Sequence, residues 1–340
     1  MSHPYKTIII GFGQIAEGLS HDSLMAKYFH YATHIQVLRD HPDFECNAVV
    51  DPSAEALKRA KNDWGIEITS TNLEEIIQEY QPDVAVITTP PQYRNGIIQK
   101  IPSLKGVFVE KPLAAPGKGA YNFVNSCNEL GLKLQVNFWR RGVKFLKNLA
   151  NGELKAQIGH PQAVFATYGN GIFNNGSHLI DMIRMLLGEI IAVQATAELT
   201  SAASAPLKDD VHVSFVLTLK SGAQVLVSPL DFIHYRDLSL DIWGTIGRVV
   251  IGHETLTYSF YPLCKNRGLE GEMEIASDNP RYQEIPVEKA LYEMYSDLAV
   301  SIKTNTKTIS NGESTLVTDY IIEKIIDSAK KNCLRIPVNV

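Results

Sequence analysis

Cysteine is scarce, with four in 340 residues (Cys46, Cys127, Cys264 and Cys333) and no C-x-x-C pair. That spacing excludes a zinc ribbon and a disulfide framework, and it reads as a reduced, cytoplasmic chain. Long apolar runs are missing, since none approaches the ~20 residues that a membrane helix needs. The opening MSHPYKTIII lacks the layout of a signal peptide, because its apolar stretch runs straight into a glycine turn. There is no excess of positive charge: 32 basic against 37 acidic residues leave a net charge of −5. That argues against nucleic acid as a partner, because phosphate binding wants a basic face. Internal repeats and low-complexity linkers are absent. What remains is 45 % hydrophobic and 20 % charged residues, a globular composition, in a chain of the length of two domains.

The first part alternates strand-like and helix-like segments. Lys6–Ile10 (KTIII) is a continuous apolar run that stops at Gly11, as a buried parallel strand would. Strands are predicted at Cys46–Val50, Ile66–Thr69, Val84–Thr88, Val107–Val109 and Leu132–Asn137. Helices are predicted at Leu24–Asp40, Ala54–Lys61, Leu73–Glu79, Tyr93–Lys100 and Gly119–Leu130. This alternation gives an α/β fold with a doubly wound parallel sheet. After residue 140 the pattern changes. One helix, Gly176–Leu187, precedes alternating segments at Ala192–Leu199, Val211–Leu219, Ala223–Pro229, Leu238–Trp243 and Arg248–Ile251. A second domain over 141–340 therefore carries a large open, mostly antiparallel sheet with one face covered, closed by helices at Lys289–Lys303 and Glu313–Lys331.

Gly11-Phe12-Gly13-Gln14-Ile15-Ala16 follows the first strand as G-x-G-x-x-A. In a dinucleotide site the first glycine makes the tight turn, the second lets the backbone approach the pyrophosphate, and the small third residue packs helix on strand. The helix N-terminus then receives the phosphate. The second strand ends in Asp51, whose carboxylate can bind both ribose hydroxyls and would repel a 2′-phosphate, favouring NAD over NADP. A helix-capping role before Pro52 is compatible with this. Asp51 lies 51 − 11 = 40 residues after Gly11, against the usual ~20. The excess predicts an insertion within Glu17–Thr33.

Three more segments complete a pattern: Thr88-Thr89-Pro90-Pro91, Val109-Glu110-Lys111-Pro112-Leu113 and Gly176-Ser177-His178-Leu179-Ile180-Asp181. With GFGQIA, the G-T-x-G turn at Gly244–Gly247 and the terminal helices, the chain resembles the Gfo/Idh/MocA family of nicotinamide-dependent sugar and polyol oxidoreductases, whose members include glucose–fructose oxidoreductase and inositol dehydrogenase. The resemblance covers nearly the whole chain. It implies a Rossmann domain over 1–140 and a substrate-binding α/β domain whose open sheet forms a homodimer or homotetramer interface. It implies hydride transfer between NAD and a secondary hydroxyl or keto group of a sugar, polyol or nucleotide-linked sugar. Gly11, Gly13, Gln14, Ile15, Asp51, Thr89, Pro90, Glu110 and Lys111 are then expected at the cofactor. Lys111 and His178 are the expected catalytic pair. The lysine would stabilise alkoxide character on the reacting oxygen, and the histidine would exchange its proton near neutral pH.

Many members carry Asp where this chain has Asn174, four residues before His178. An amide orients a ring without stabilising imidazolium by charge. Asn137, Arg141, Asn174 and Asp181 are further substrate candidates. Arg140 and Arg141 could bind an anionic group bidentately or cap a surface. Arg94 stands where the family often has His, which leaves its role open. His30 and His34, four apart on a predicted helix, could face a metal, but neither a third ligand nor an H-E-x-x-H arrangement is evident; no metal is expected. Lys265–Glu274 could line substrate, reach a neighbouring subunit or be a surface loop. Two other functions fit the chain: an NAD-using glycosidase of the same fold, and a non-enzymatic NAD- or sugar-binding regulator.

Overall fold

A computed structural model describes residues 3–94, 96–114, 119–203 and 205–339. The chain forms two compact units, Met1–Val143 with Val287–Leu316, and Lys144–Pro286 with Val317–Val340. A single boundary after residue 140 therefore does not describe the chain: Val287–Leu316 belongs with the N-terminal unit. The physical reason is apolar packing. Leu291, Met294, Tyr295, Leu298 and Ala299, on the helix Ala290–Thr304, are buried in one core with Ile9, Val49, Val86 and Phe108.

The first unit is built on a six-stranded sheet. Its strands are β1 (Tyr5–Ile10), β2 (Phe44–Val50), β3 (Ile68–Ser70), β4 (Val84–Ile87), β5 (Gly106–Val109) and β6 (Lys133–Val136). They run in the order β3-β2-β1-β4-β5-β6, all parallel. The order reverses between β1 and β4, where open α/β sheets bind ligands at the carboxyl ends of the strands. Both faces are covered by apolar cores, which is why the end of β1, Ile8–Ile10, and all of β4 read as unbroken apolar runs.

The predicted helix over 24–40 is interrupted. A single turn follows the glycine motif, with Glu17 N donating to the Gly13 carbonyl at 2.9 Å. The chain then loops out before Thr33, carrying only short helical turns at Gly18–His21 and Met25–Tyr28, and a longer helix resumes at His34–Asp40. Its first amides return to the interrupted turn: His34 N donates to the Ile15 carbonyl at 3.2 Å, and Ile35 N to the Ala16 carbonyl at 3.0 Å. The insertion expected from the Gly11–Asp51 spacing is thus looped out of one helix. A capping box starts the second half, with the Gln36 side chain accepting from Thr33 N at 3.1 Å. The predicted helix at 93–100 is likewise reduced, to short 3-10 turns at Pro91–Tyr93 and Ile98–Lys100.

The second unit holds β7 (Pro161–Tyr168), β8 (Ile190–Ala195), β9 (Thr200–Ser201), β10 (Val211–His212), β11 (Phe215–Leu219), β12 (Gln224–Pro229), β13 (Ser239–Gly244), β14 (Gly247–Gly252), β15 (Thr257–Lys265), β16 (Met273–Ile275), β17 (Arg281–Glu284) and β18 (Ile336–Pro337). The large sheet runs β16-β15-β14-β13-β7-β12-β11-β8-β18, with β17 also on β15. Among the described residues of this sheet only β7 and β12 pair in parallel, so the sheet is mostly antiparallel as expected. The segment predicted as one strand over 211–219 is split, because β10 leaves the sheet to pair with β9. Lys265–Glu274 connects β15 and β16 as an exposed hairpin, with Arg267 paired to Glu274 and Asp278. Among the described residues no helix is long and apolar enough to cross a membrane.

Candidate active site

Gly11 ends β1 with φ at +94°, a conformation open to glycine at little cost. A Cβ here would also stand 2.9 Å from Thr89 N. At Gly13 a Cβ would meet nothing within 4 Å, so that side of the turn is open. Gln14 is exposed and Ile15 half-buried. Asp51 is buried at the end of β2. Its Oδ2 accepts from Phe12 N at 2.6 Å and its Oδ1 from Ser53 N at 2.8 Å. The cap of the following helix is Ser53, which accepts from Ala56 N. Asp51 is therefore tied to the glycine turn rather than spent on capping.

The ends of β4, β5 and β6 form a buried polar cluster. Glu110 follows β5, and its Oε1 receives His34 Nε2 at 2.9 Å and Asn137 Nδ2 at 2.5 Å. Burial alone would raise the Glu110 carboxyl, but the hydrogen bond and charge of His34, the Asn137 amide and the charge of Lys111 outweigh it and hold it below the ordinary carboxylate value. The peptide between Lys111 and Pro112 is cis. Arg94, buried at 3 % exposure, donates from Nε to the Thr89 carbonyl at 2.9 Å. Its Nη1 donates to the carbonyls of Glu110 and Pro112, on either side of Lys111. Burial pushes the Arg94 guanidinium down to about 10, against the opposing charge of Glu110, so it stays cationic at neutral pH. Two buried oxygens here have no hydrogen-bond partner, Thr89 Oγ1 and Asn137 Oδ1. Pro90 is exposed and opens the turn Pro91–Tyr93. Arg140 stacks on Trp139 at 4.5 Å. Arg141 donates to the Ile309 carbonyl and to Ser314 Oγ, each at 3.1 Å.

The second unit positions the other candidates. His178 and Asp181 are buried on the helix Ser177–Leu187, and a wide turn, Gly171–Gly176, carries Asn174 into it. That turn is held from β10 and its approach. Asp210 accepts from Phe173 N at 3.1 Å and from Asn174 N at 3.0 Å, and His212 Nε2 accepts from Gly171 N at 3.0 Å. Gly171 has φ at +85°, and a Cβ there would meet the Asp210 carboxylate at 2.1 Å, so only glycine admits the carboxylate. Sequence reasoning singled out neither Asp210 nor His212. His34 it weighed only as a metal ligand with His30. The helix begins at His34, so the two do not share a helical face, and among the described residues no group of three metal-ligating side chains occurs.

Comparison with known proteins identifies the family. Residues 6–138 match the model for the GFO/IDH/MocA oxidoreductase family with an NAD-binding Rossmann fold, and residues 155–250 match the GFO/IDH/MocA C-terminal domain. The chain belongs to the GFO/IDH/MocA family. It is 24 % identical over 337 residues to a scyllo-inositol 2-dehydrogenase (NAD(+)) of Bacillus subtilis, covering 94 % of this chain and 90 % of the relative. An inositol 2-dehydrogenase of Acidiphilium cryptum is 30 % identical over 197 residues, 52 % of this chain and 57 % of the relative. An oxidoreductase from Agrobacterium radiobacter, solved with NAD+, L-tartaric acid and magnesium, superposes with a TM-score of 0.73 at 16 % identity over 98 % of each chain. As a GFO/IDH/MocA member the chain is an NAD-binding oxidoreductase. Its residues fit that cofactor. The Gly13 side of the turn is open to a pyrophosphate, and the orphaned Thr89 and Asn137 oxygens are buried polar groups of the kind a ligand satisfies.

Proposed function

We propose that this GFO/IDH/MocA protein is a dehydrogenase interconverting a secondary hydroxyl and a ketone on a sugar or polyol. The observation that carries it is Lys111 at the carboxyl end of β5, with Arg94 bonded to the carbonyls on both sides of it and the preceding Glu110 tied to His34 and Asn137. Gly11, Gly13, Gln14 and Ile15 would take the pyrophosphate and Asp51 the adenosine ribose, with Thr89, Pro90, Glu110 and Lys111 at the nicotinamide half. A bound NAD would supply the hydride acceptor needed for oxidation of the alcohol carbon to a carbonyl. The Lys111 ammonium stabilises negative charge developing on the substrate oxygen, and His178 takes the hydroxyl proton. Asn137, Asn174 and Asp181 are the substrate candidates. The described bonds of Arg141 end on Ile309 and Ser314, which favours a structural role for it. The full-length similarity to a scyllo-inositol dehydrogenase supports a cyclic polyol or sugar as substrate. Four free, scattered cysteines support a cytoplasmic location.

The reading extends to assembly. The outer face of the large sheet exposes Phe165 at 46 % and Leu226 at 44 %, which are register partners on β7 and β12. Exposed apolar sheet of this kind marks an interface, and we propose that copies of the chain pair through it.

The experiment is turnover of inositol isomers, aldoses and nucleotide sugars with NAD, followed at the reduced-nicotinamide absorbance. Net reduction with one of them supports the dehydrogenase. Product release with no net absorbance change identifies the glycosidase instead, and binding without turnover identifies a regulator.

A further inference from the structure

We propose that His34, delivered by the interrupted first helix, is a positioning residue that holds the Glu110 carboxylate in place for the nicotinamide half of the cofactor. This rests on the reading above, in which Glu110 and Lys111 lie at that half.

The geometry is a chain of three groups from three parts of the sequence. His34 Nε2 lies 2.9 Å from Glu110 Oε1, and His34 Nδ1 lies 2.7 Å from the Tyr295 hydroxyl. An ionised carboxylate only accepts, so Nε2 carries a hydrogen. The Tyr295 hydroxyl, kept protonated by complete burial, can serve Nδ1 as donor or acceptor. The ring is packed edge-on against Phe108 at 5.1 Å and Tyr295 at 5.8 Å, so it has one orientation. Both described hydrogen bonds to the Glu110 side chain fall on Oε1, so His34 and Asn137 together fix that oxygen.

The insertion explains how His34 gets there. The chain loops out before Thr33, and the capping box at Thr33 and Gln36 starts the longer helix. His34 is thereby the first residue of the new helix, its amide anchored to the Ile15 carbonyl of the cofactor turn. One residue therefore links the pyrophosphate turn to the Glu110–Lys111 end of β5. A histidine serving the core alone would not need a carboxylate partner, since a buried, uncompensated carboxylate is costly. The charged and titratable groups facing Glu110 are His34, Arg94 from the loop after β4, Lys111 and Tyr295.

The test is NADH affinity by calorimetry from pH 6 to 8.5, with thermal unfolding measured in parallel. His34→Phe keeps the volume and removes the donor. It should bind NADH about tenfold more weakly at pH 8, the worth of one charge-assisted hydrogen bond, and the loss should deepen toward lower pH, because removing the His34 donor moves the Glu110 carboxyl up. His34→Gln, which retains a donor, should recover most of the affinity. The pair His34→Phe with Glu110→Gln should bind no more weakly than Glu110→Gln alone and should lose the added pH dependence. If His34→Phe does not fold, His34→Asn, too short to reach Glu110, takes its place. NADH affinity unchanged at every pH in the His34 variants, with only the unfolding temperature lowered, overturns the positioning role while leaving Glu110 at the cofactor. Wild-type affinity in Glu110→Gln itself shows instead that the underlying reading of Glu110 fails, and the inference with it.

Discussion

Arg94 Nη1 donates to the main-chain carbonyls of both Glu110 and Pro112. The residue between them is Lys111. The cation thus fixes the backbone on each side of the proposed catalytic lysine, and its Nε ties that segment to the Thr89 carbonyl at the end of β4. Removing it leaves three carbonyls without this donor. Arg94→Met should destabilise the protein by about 3 kcal/mol, the scale of losing hydrogen bonds from a buried charged group. Denaturant unfolding at pH 7 measures this, and a loss near zero contradicts the clamp.

The proposed place of Asp51 at the adenosine ribose predicts the choice of dinucleotide. The Asp51 carboxylate is held by Phe12 N and Ser53 N at the end of β2. NAD(H) should bind more tightly than NADP(H), and Asp51→Ser should narrow the gap by removing repulsion of the 2′-phosphate. Calorimetry on the unmutated protein that finds equal or tighter NADP(H) binding refutes the assignment.

Asp319 sits half-buried on the helix Gly312–Lys330, one turn before Glu323. Burial first, and then the charge of Glu323, push its carboxyl up to about 7. Its ordinary value is about 3.9. A group raised on folding contributes stability that is full below the unfolded value and is lost as pH rises through the folded one. Asp319→Asn should therefore gain on the wild type between pH 5 and pH 8. Unfolding midpoints that differ equally at both pH values would dispose of this.

Assembly through the outer sheet face predicts a particle larger than the 37.7 kDa chain. Light scattering at micromolar concentration should give a dimer or tetramer. Charges placed at the register partners, Phe165→Glu with Leu226→Glu, should shift it to the monomer without loss of the folded state. A monomeric wild type rules the interface out.

Much of this molecule was legible in its sequence, and the exceptions have physical causes. The parallel strands were read from continuous apolar runs, because burial on both faces erases alternation. The looped-out segment was read from the distance between Gly11 and Asp51, but the helix was drawn through it, since 24–40 keeps helix-forming residues throughout. The Thr33–Gln36 capping box was the overlooked signal. Reading it would have started a helix at His34 and separated that residue from His30. Arg94 and Asp210 were illegible for a different reason. Each acts on main-chain groups far away in sequence, and such contacts leave no spacing to detect. Val287–Leu316 was assigned to the wrong unit because an amphipathic helix does not state which core it will fill.

The most direct test of the account is Lys111→Ala. NADH binding by calorimetry and turnover on the substrate that the wild type oxidises are measured on the same preparation. Lys111 is assigned to charge that develops on the substrate oxygen, so its loss should lower turnover roughly 10²-fold or more while the folded variant still binds NADH. Turnover within a few-fold of the wild type would contradict the assignment of Lys111, and with it the proposed chemistry of the β5 end.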